Sequence, residues 1–216
     1  MSQPSLEVDS QGIPSVFERL KRWATKCPLD LTFNPGGTEA AIAAAEAALG
    51  VTFPADLRAY LLLADGECWN SEGFIGDWRL LELKFIVDET QFMRRLVEDG
   101  TFDDNSNDET PTIKGLWWNP QWIPIVTSGS GHFFCVDLDP GPEGTVGQVI
   151  LFLHDDEDRF LIAPSLRAWF ARLAADFERG LYEIVTDEDG YQHFNSQALL
   201  WSSLEGKNLY ERCPIG

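Results

Sequence analysis

Apolar residues recur at helical spacing through the N-terminal third of the chain, and Pro or Gly separates one stripe from the next. Ser15 and Glu18 form a capping box ahead of the first stripe, which predicts a helix that ends before Pro28. Thr38 is placed to cap a second, alanine-rich helix, and Pro54 to begin a third. The pattern therefore predicts three helices before the first strand.

The next hundred residues mix strand, helix and loop patterns. Trp78 to Leu83 has the composition of a strand. Asp88 and Gln91 resemble another capping arrangement, which predicts a fourth helix that is closed by Gly100. Residues 101–116 are polar and acidic without an apolar period, and we expect a loop there.

Three apolar runs, at residues 121–126, 132–138 and 147–153, predict strands. The two later runs are apolar at consecutive positions, so their strands need cover on both faces and belong at the centre of the sheet. Pro124 has no N–H to donate to a neighbouring strand, which predicts an edge or a bulge in the first run.

The strongest amphipathic pattern in the chain begins at Ser165 and continues to about Phe177, and it predicts a long last helix. Beyond it, residues 181–186 and 191–194 flank an Asp-Glu-Asp-Gly turn, which predicts a closing hairpin. The tail from residue 195 to residue 216 shows no sustained period.

The order of these elements indicates the fold class. Helices come first, strands next and a helix last, which differs from the strand–helix alternation of a doubly wound sheet. We therefore predict an α+β fold with a largely antiparallel, mixed sheet. The predicted organisation is an N-terminal helix and loop extension at 1–37, a single domain at 38–194 and a C-terminal tail at 195–216.

The acidic composition makes nucleic acids and anionic membranes unfavourable partners. Lys and Arg number 16 against 35 Asp and Glu, which gives a formal net charge of -19. Affinity for nucleic acids depends on cations that displace counterions, so we expect neither nucleic acid nor an anionic membrane as a partner. The N-terminus lacks a basic segment followed by an apolar one, and no apolar run approaches the roughly 20 residues that span a bilayer. These features predict a cytoplasmic protein.

Few residues are arranged for chemistry. Ser128-Gly-Ser-Gly-His132 does not match the pattern of a serine nucleophile elbow and predicts a hairpin turn instead. Asp137-Leu-Asp139-Pro-Gly141 departs from the spacing of a calcium loop and also predicts a turn. No glycine-rich phosphate-binding motif is present. We therefore predict no enzymatic activity, no catalytic residue and no cofactor.

The histidines leave two alternatives open. His132, His154 and His193 lack the i, i+4 spacing of a helical metal pair, so local sequence predicts no metal site. A metal site assembled from distant residues remains an alternative. A hydrolase that uses His132 or His154 with nearby carboxylates is the other.

Acidic residues are concentrated in three segments without Lys or Arg. Residues 98–109, 137–158 and 183–189 hold six, seven and four of them. If these segments share one end of the sheet, they form a negative surface that steers a basic partner; otherwise they are solvated loops. The candidate partner-binding residues are Asp103, Asp104, Asp108, Glu109, Asp137, Asp139, Glu143, Asp155, Asp156, Glu157 and Asp158.

A series of short motifs extends from about Ile42 to Phe170. No single motif is specific to one family, but their order and spacing together are informative. They are Glu46-x-x-Leu49-Gly50, Phe53-Pro54-x-x-Leu57, Tyr60 through Asp65-Gly66, Leu80-Leu81, Trp122-Ile-Pro-Ile125, Phe134-x-Val-Asp137, Gly147-Gln148-Val149 and the late helix with Trp169. The series resembles the SUKH superfamily, named for yeast cell-wall assembly regulators linked to killer-toxin resistance and for bacterial immunity proteins. Asp65 stands where that family usually has Asn.

The resemblance implies a SUKH-like α+β fold with helices packed on one face of the sheet, and no catalytic apparatus. For a bacterial member it implies a cytoplasmic immunity protein that binds and neutralises a polymorphic toxin domain. A basic nuclease would suit the acidic surface. The fungal branch implies the alternative, a non-catalytic scaffold or regulatory protein-binding domain related to cell-wall assembly regulators. The motif residues are structural, so they do not locate the partner surface.

Overall fold

The structure, a computed structural model, describes residues 12–69, 73–76, 78–105, 110–180, 182, 184–190 and 192–194. The helices in these ranges are α1 Ile13–Ala24, α2 Glu39–Leu49, α3 Ala55–Leu63, α4 Leu83–Glu98 and α5 Leu166–Glu178. The strands are β1 Phe33–Pro35, β2 Ala64–Glu67, β3 Arg79–Leu80, β4 Trp122–Thr127, β5 Phe133–Asp137, β6 Gln148–Phe152, β7 Arg159–Ala163, β8 Ile184–Thr186 and β9 Gln192–Phe194.

The main sheet has five strands in the order β3-β4-β5-β6-β7, and each neighbouring pair is antiparallel. Two smaller antiparallel pairs, β1–β2 and β8–β9, lie outside it. The predicted α+β class with a largely antiparallel sheet is confirmed. The pair β8–β9 is the predicted closing hairpin.

Every residue of β5 and β6 is buried, as their continuous apolar runs predict. Successive side chains point to opposite faces of the sheet, so Phe134 and Val136 belong to one core while Phe133 and Cys135 belong to another. The sheet therefore needs cover on both faces.

Helices α1, α2, α3 and α5 cover the first face. The rings of Phe17 and Phe170 both contact Tyr60 edge-on, with centroids 5.4 and 5.3 Å apart. Such pairs contribute about 0.5–1.5 kcal/mol beyond their buried area. Helix α1, although predicted as part of an extension, packs into this same core, since Trp23 stacks on Phe177 at 4.0 Å.

The second face is covered by the C-terminal half of α4 and by the segment that precedes β4. The helix contributes Met93 to this core, and the segment contributes Ile113 and Trp118. The ring of Trp118 stands at 90° to that of Phe152, with 4.9 Å between centroids. This cover is thinner than that on the first face, and it leaves an open cleft beside α4.

The predicted start of α1 is wrong. The helix begins at Ile13 with Gly12 as its N-cap, and Ser15 lies inside the first turn, where its N–H donates to the Gly12 carbonyl at 3.1 Å. Ile13 is buried in the core, which favours the earlier start. Thr38 caps α2 as predicted, since its hydroxyl accepts the Ala41 N–H at 3.1 Å.

The predicted start of α4 is also wrong. Asp88 lies within the helix, which begins at Leu83. The Leu83 N–H donates instead to the Asp65 carboxylate at 2.5 Å, so the cap comes from β2. A cap that is supplied from 18 positions away leaves no local pattern to recognise.

Strand predictions succeeded at the centre of the sheet and failed at its edges. Only Arg79–Leu80 of the predicted run forms a strand. Pro124 pairs with Cys135 of β5, whereas β3 pairs with β4 only at Val126 and Thr127. The register shift between Pro124 and Val126 confirms the bulge, one of the two outcomes that Pro124 predicts. Strands β1, β2 and β7 were not predicted, and because β1 lies between α1 and α2, the prediction that three helices precede the first strand is wrong.

The described part of segment 101–116 forms turns and bends without helix or strand, as predicted. Gly129 and Gly131 both have positive φ, and Ser128 N–H donates to His132 O at 3.2 Å, which confirms the hairpin turn between β4 and β5. Among the residues that the structure describes, none of the helices has the length and apolar character needed to cross a membrane.

Replacing Gly66 by alanine tests the contact that sets α4 in place. Gly66 has φ +68°, and an added Cβ would lie 2.5 Å from the Glu82 N and 2.6 Å from the Leu81 carbonyl carbon. Gly50 has a similar φ of +64° with open space around it, so it is the matched control. We expect Gly66→Ala to lower the free energy of unfolding by about 4 kcal/mol and Gly50→Ala by about 1 kcal/mol. Urea unfolding measures both, and equal losses would contradict the close packing of Gly66 against α4.

Candidate functional site

A cleft of about 580 Å³ opens between α4 and the second face of the sheet. Phe133 and Phe152 of the sheet line it, and α4 contributes Phe92 and Leu96. Trp117 lines it from the segment that precedes β4. The volume lies within the range of about 300–1,000 Å³ that is usual for binding sites with mainly apolar walls.

Two aromatic side chains at the cleft are exposed to solvent. Trp69 is 76% exposed and Phe92 is 47% exposed. Large rings that are exposed at the mouth of a cleft are typical of interaction sites on soluble proteins, because leaving them in water is unfavourable. Among the described residues, the large aromatic side chains that are exposed, Trp69 and Phe92, both line this cleft.

Carboxylates and one guanidinium border the apolar surface. Glu82 and Glu89 lie on the α4 side, and among the described residues neither forms a salt bridge. Burial, with a smaller contribution from Asp88, raises the pKa of Glu89. Arg79 lies 5.5 Å from the Trp69 ring centroid and donates to the Cys68 carbonyl at 3.0 Å. The rim is acidic overall, as two carboxylates lie beside one guanidinium that contacts its own chain.

Glu67 supports the inner end of the cleft. It is buried, and its carboxylate accepts the N–H groups of Phe74 and Leu80 at 3.1 and 3.2 Å. Burial raises its pKa from 4.5 to about 8, although the two N–H donors act in the opposite direction. This carboxyl therefore joins β2 to β3 and to the turn before it, two residues from Trp69.

The residues of the sequence motifs hold the walls of the cleft. Asp65 accepts the Leu83 N–H and so holds the first turn of α4. On the other side, Gln148 Nε2 donates to the Asp137 carboxylate at 2.9 Å and to the Thr112 carbonyl at 2.8 Å. The segment that carries Trp117 is thereby fixed to β5 and β6. These motif residues position the cleft without lining it.

The structure removes Asp137 from the predicted acidic surface. Its exposure is 0%, and its carboxylate is bound by Gln148 and by the Asp139 N–H. Burial raises the pKa of Asp137 to about 6. Asp139 pairs with Lys114, which lowers the pKa of Asp139, and Glu143 is exposed in the same turn. Residue type alone did not reveal that the strand-end carboxylate faces inward.

The acidic segments do not meet at one end of the sheet. Asp139 and Glu143 lie between β5 and β6, whereas residues 155–158 lie between β6 and β7. Consecutive connections in an antiparallel sheet fall at opposite ends. The third segment is the β8–β9 hairpin. Of the two alternatives, the one in which these segments share one end of the sheet is therefore not supported.

Part of the predicted set does lie beside the cleft. Asp155, Asp156, Glu157 and Asp158 follow His154, which lines the cleft. Asp103 and Asp104 are exposed next to Phe102, which also lines it. Asp108 and Glu109 lie outside the described residues. Asp103, Asp104 and the four acidic residues at 155–158 thus add negative charge near the rim of the cleft.

The folding of β5 against β6 also brings two histidines together. His132 Nδ1 lies 3.2 Å from His154 Nδ1, and Asp155 follows directly. Burial and the neighbouring His154 lower the pKa of His132, with Asp155 acting in the opposite direction. The two histidines are 22 residues apart in the sequence, so no local motif indicates that they are neighbours. The pairing of Phe133 with Phe152 places them side by side.

A protein-family model described as the SMI1 / KNR4 family (SUKH-1) matches residues 36–172, which is more than half of the chain. The chain belongs to the SMI1 / KNR4 family. The resemblance noted from the motifs is confirmed, and the match contains α2 to α4, the main sheet and the first half of α5.

Members of the SMI1 / KNR4 family in fungi are similar to this chain. The "Cell wall biosynthesis/cell cycle regulator smi1" of Schizosaccharomyces pombe is 29% identical over 80% of this chain and 37% of its own length. The "Cell wall assembly regulator SMI1" of Saccharomyces cerevisiae is 25% identical over 76% and 39%. The "Glucan synthesis regulatory protein" of Neurospora crassa is 26% identical over 82% and 40%. The chain thus spans 37 to 40% of the length of these relatives.

These names describe regulators rather than enzymes, and they favour the regulatory alternative over toxin immunity. They do not test the predicted toxin partner, which stays a prediction. They also identify no binding residue, so the case for the cleft as a binding site depends on its geometry.

The raised pKa of Glu67 makes stability depend on pH. The folded chain keeps a proton on Glu67 up to about pH 8, whereas the unfolded chain releases it near pH 4.5. The contribution of Glu67 to stability therefore falls as pH rises through this interval, by up to about 1.4 kcal/mol for each pH unit. Glu67→Gln cannot ionise, so we expect its stability to change less between pH 5 and 8.

Urea unfolding at four pH values in this range measures the difference. The exposed Glu143→Gln is the matched control and should keep the pH dependence of the wild type. Identical slopes for the wild type and Glu67→Gln would show that Glu67 is ionised in the folded chain near neutral pH.

Proposed function

We propose that this chain is a non-catalytic protein-binding module of a regulator related to the fungal cell-wall regulators, and that it holds a segment of its partner in the cleft. One observation carries the proposal: exposed aromatic rings of Trp69 and Phe92 stand at an open cleft whose rim holds Glu82 and Glu89. The family membership supports a regulatory role.

The apolar part of the cleft sets the first requirement for the partner. Binding energy at protein interfaces is concentrated in a few large side chains that become fully desolvated. Phe92 and Trp69 are exposed, whereas Phe133 and Phe152 beneath them are already buried. A partner segment with aromatic or long aliphatic side chains would contact the buried rings and cover the exposed ones.

The charges set the second requirement. Glu82 and Glu89 border the cleft, and the acidic turn at 155–158 continues from His154 at its edge. A segment that also carries Lys or Arg is attracted to this rim, and the net charge of -19 adds a long-range component. The expected partner segment is therefore amphipathic, with large apolar side chains next to basic ones.

Selection from a displayed library of random peptides tests the cleft even though the partner is unidentified. We expect enriched peptides to combine aromatic or long aliphatic residues with Lys or Arg. Phe92→Ala should weaken their binding by about 30-fold, since it removes an anchoring ring. Val146→Ala is the control, because Val146 is 63% exposed and does not line the cleft.

A pair of charge reversals separates steering by the cleft rim from the effect of net charge. Glu89→Lys and Glu143→Lys change the charge equally, but only Glu89 borders the cleft. We expect Glu89→Lys to weaken the selected peptides more, with the difference fading at high salt. Equal effects of the two reversals, equal effects of Phe92→Ala and Val146→Ala, or failure to enrich any peptide would contradict the cleft as the binding site.

A chimera tests the regulatory role. In it, the part of the Saccharomyces cerevisiae cell wall assembly regulator SMI1 that matches this chain is replaced by this chain. We expect the chimera to restore growth under cell-wall stress in a strain without SMI1, and the same chimera with Phe92→Ala to fail. If the unaltered chimera is stably produced yet fails, the proposed role is wrong. If both grow equally, the role holds and the cleft does not serve it.

A further inference from the structure

We propose that His132, His154 and Asp155 bind a divalent transition-metal ion, with zinc as the expected occupant, at the edge of the cleft. The ligand atoms are the Nδ1 atoms of the two imidazoles and a carboxylate oxygen of Asp155, and all three lie within 4.8 Å of one another. This proposal does not depend on the regulatory role proposed above.

The spacing of the two nitrogens fits a tetrahedral ion. They lie 3.2 Å apart. Zinc binds histidine nitrogen at about 2.0–2.1 Å, which in a tetrahedral site places two nitrogens about 3.3 Å from each other. The separation of the two nitrogens therefore matches that of a tetrahedral site, in which the ion replaces the proton between them.

Asp155 requires only a small adjustment. Its Oδ1 lies 3.8 Å from His132 Nδ1 and 4.0 Å from His154 Nδ1, slightly farther than in a formed site. The side chain is exposed, so a rotation about its own bonds brings the oxygen closer without moving the backbone. Imidazole nitrogens with one carboxylate oxygen are ligands that suit zinc.

The sheet holds the two rings in place. His132 immediately precedes β5, and His154 follows β6 after one residue. The His132 ring is tilted against Trp78, with 6.1 Å between centroids, and is half-buried. A pair of ligands fixed at paired strand ends loses little conformational freedom when an ion binds.

A hydrogen bond shows which form of His132 is present. The backbone N–H of His154 donates to His132 Nδ1 at 3.1 Å, so this nitrogen carries a lone pair and the proton resides on Nε2. That is the tautomer that binds a metal through Nδ1. An ion would take over the lone pair and displace this hydrogen bond, which then passes to water.

Three protein ligands leave one tetrahedral position for water or for a group of the partner. His154 lines the cleft, so this position lies at its edge. The adjoining carboxylates of Asp156, Glu157 and Asp158 raise the local concentration of cations. The site therefore combines two histidines that the sheet brings together with an open position near the cleft.

Calorimetric titration of the EDTA-treated full chain with zinc chloride tests the site. We expect one ion per chain, and about 100-fold weaker binding in His154→Gln. His154 and Asp155 are exposed side chains, so His154→Gln and Asp155→Asn should leave the unfolding curve in urea unchanged. His193→Gln is the matched control, since it removes the third histidine, which lies on β9, and should bind zinc like the wild type.

Cobalt(II) identifies the ligands by its spectrum. We expect visible absorption of a nitrogen- and oxygen-bound ion that is lost in His154→Gln and retained in His193→Gln. Absence of binding to the wild type, equal affinity of His154→Gln, or the intense near-ultraviolet bands of a cobalt thiolate would overturn the proposal. The last outcome would place the ion on cysteine instead.

Discussion

Both faces of the central strands are buried, and the arrangement of the rest of the chain follows from the need to cover them. Continuous apolar runs in β5 and β6 place large side chains on each side of the sheet. Four helices cover one side with a dense cluster of aromatic rings. In the part of the chain that the structure describes, the other side is covered by half of one helix and an irregular segment, and the buried rings of Phe133 and Phe152 line the cleft. The candidate site thus arises where the cover of the sheet is incomplete.

Residues of the family motifs hold the elements that cover the second face of the sheet. Asp65 and Gly66 set the start of α4 against β2, while Asp137 and Gln148 fix the segment that carries Trp117. These contacts fix the separation between the two walls of the cleft. They also explain why the motifs identify the family but do not identify the partner. Leu80 and Leu81 are motif residues that line the cleft, whereas the exposed rings of Trp69 and Phe92 lie outside the motifs.

The parts of the fold that the sequence predicts are those with dense local patterns. The strands β4 to β6 and the helix α5 follow directly from apolar periodicity. The start of α4 was missed because its cap is a side chain on β2, and the start of α1 was missed because burial of Ile13 outweighs the local capping box. Tertiary contacts decided both positions.

The candidate site was less predictable than the fold. The residues at the cleft come from Glu67 to His154 in the sequence, so only the folded sheet brings them together. Acidic residues near it were found from charge clustering, but the same criterion also selected the buried Asp137. The sequence shows which residues are charged, whereas burial in the fold determines which of these charged side chains a partner can contact.

The proposed binding of a partner at the cleft can be tested in cells. The most direct measurement places a photo-reactive phenylalanine analogue at one position per variant and maps the cross-links formed in cells of the source organism. Position 92 lies in the cleft, and positions 143 and 146 lie on the turn between β5 and β6. The structure predicts that a single protein is cross-linked from position 92, through a segment with large apolar and basic residues, and not from 143 or 146. Cross-links from 143 or 146, with none from 92, would contradict it.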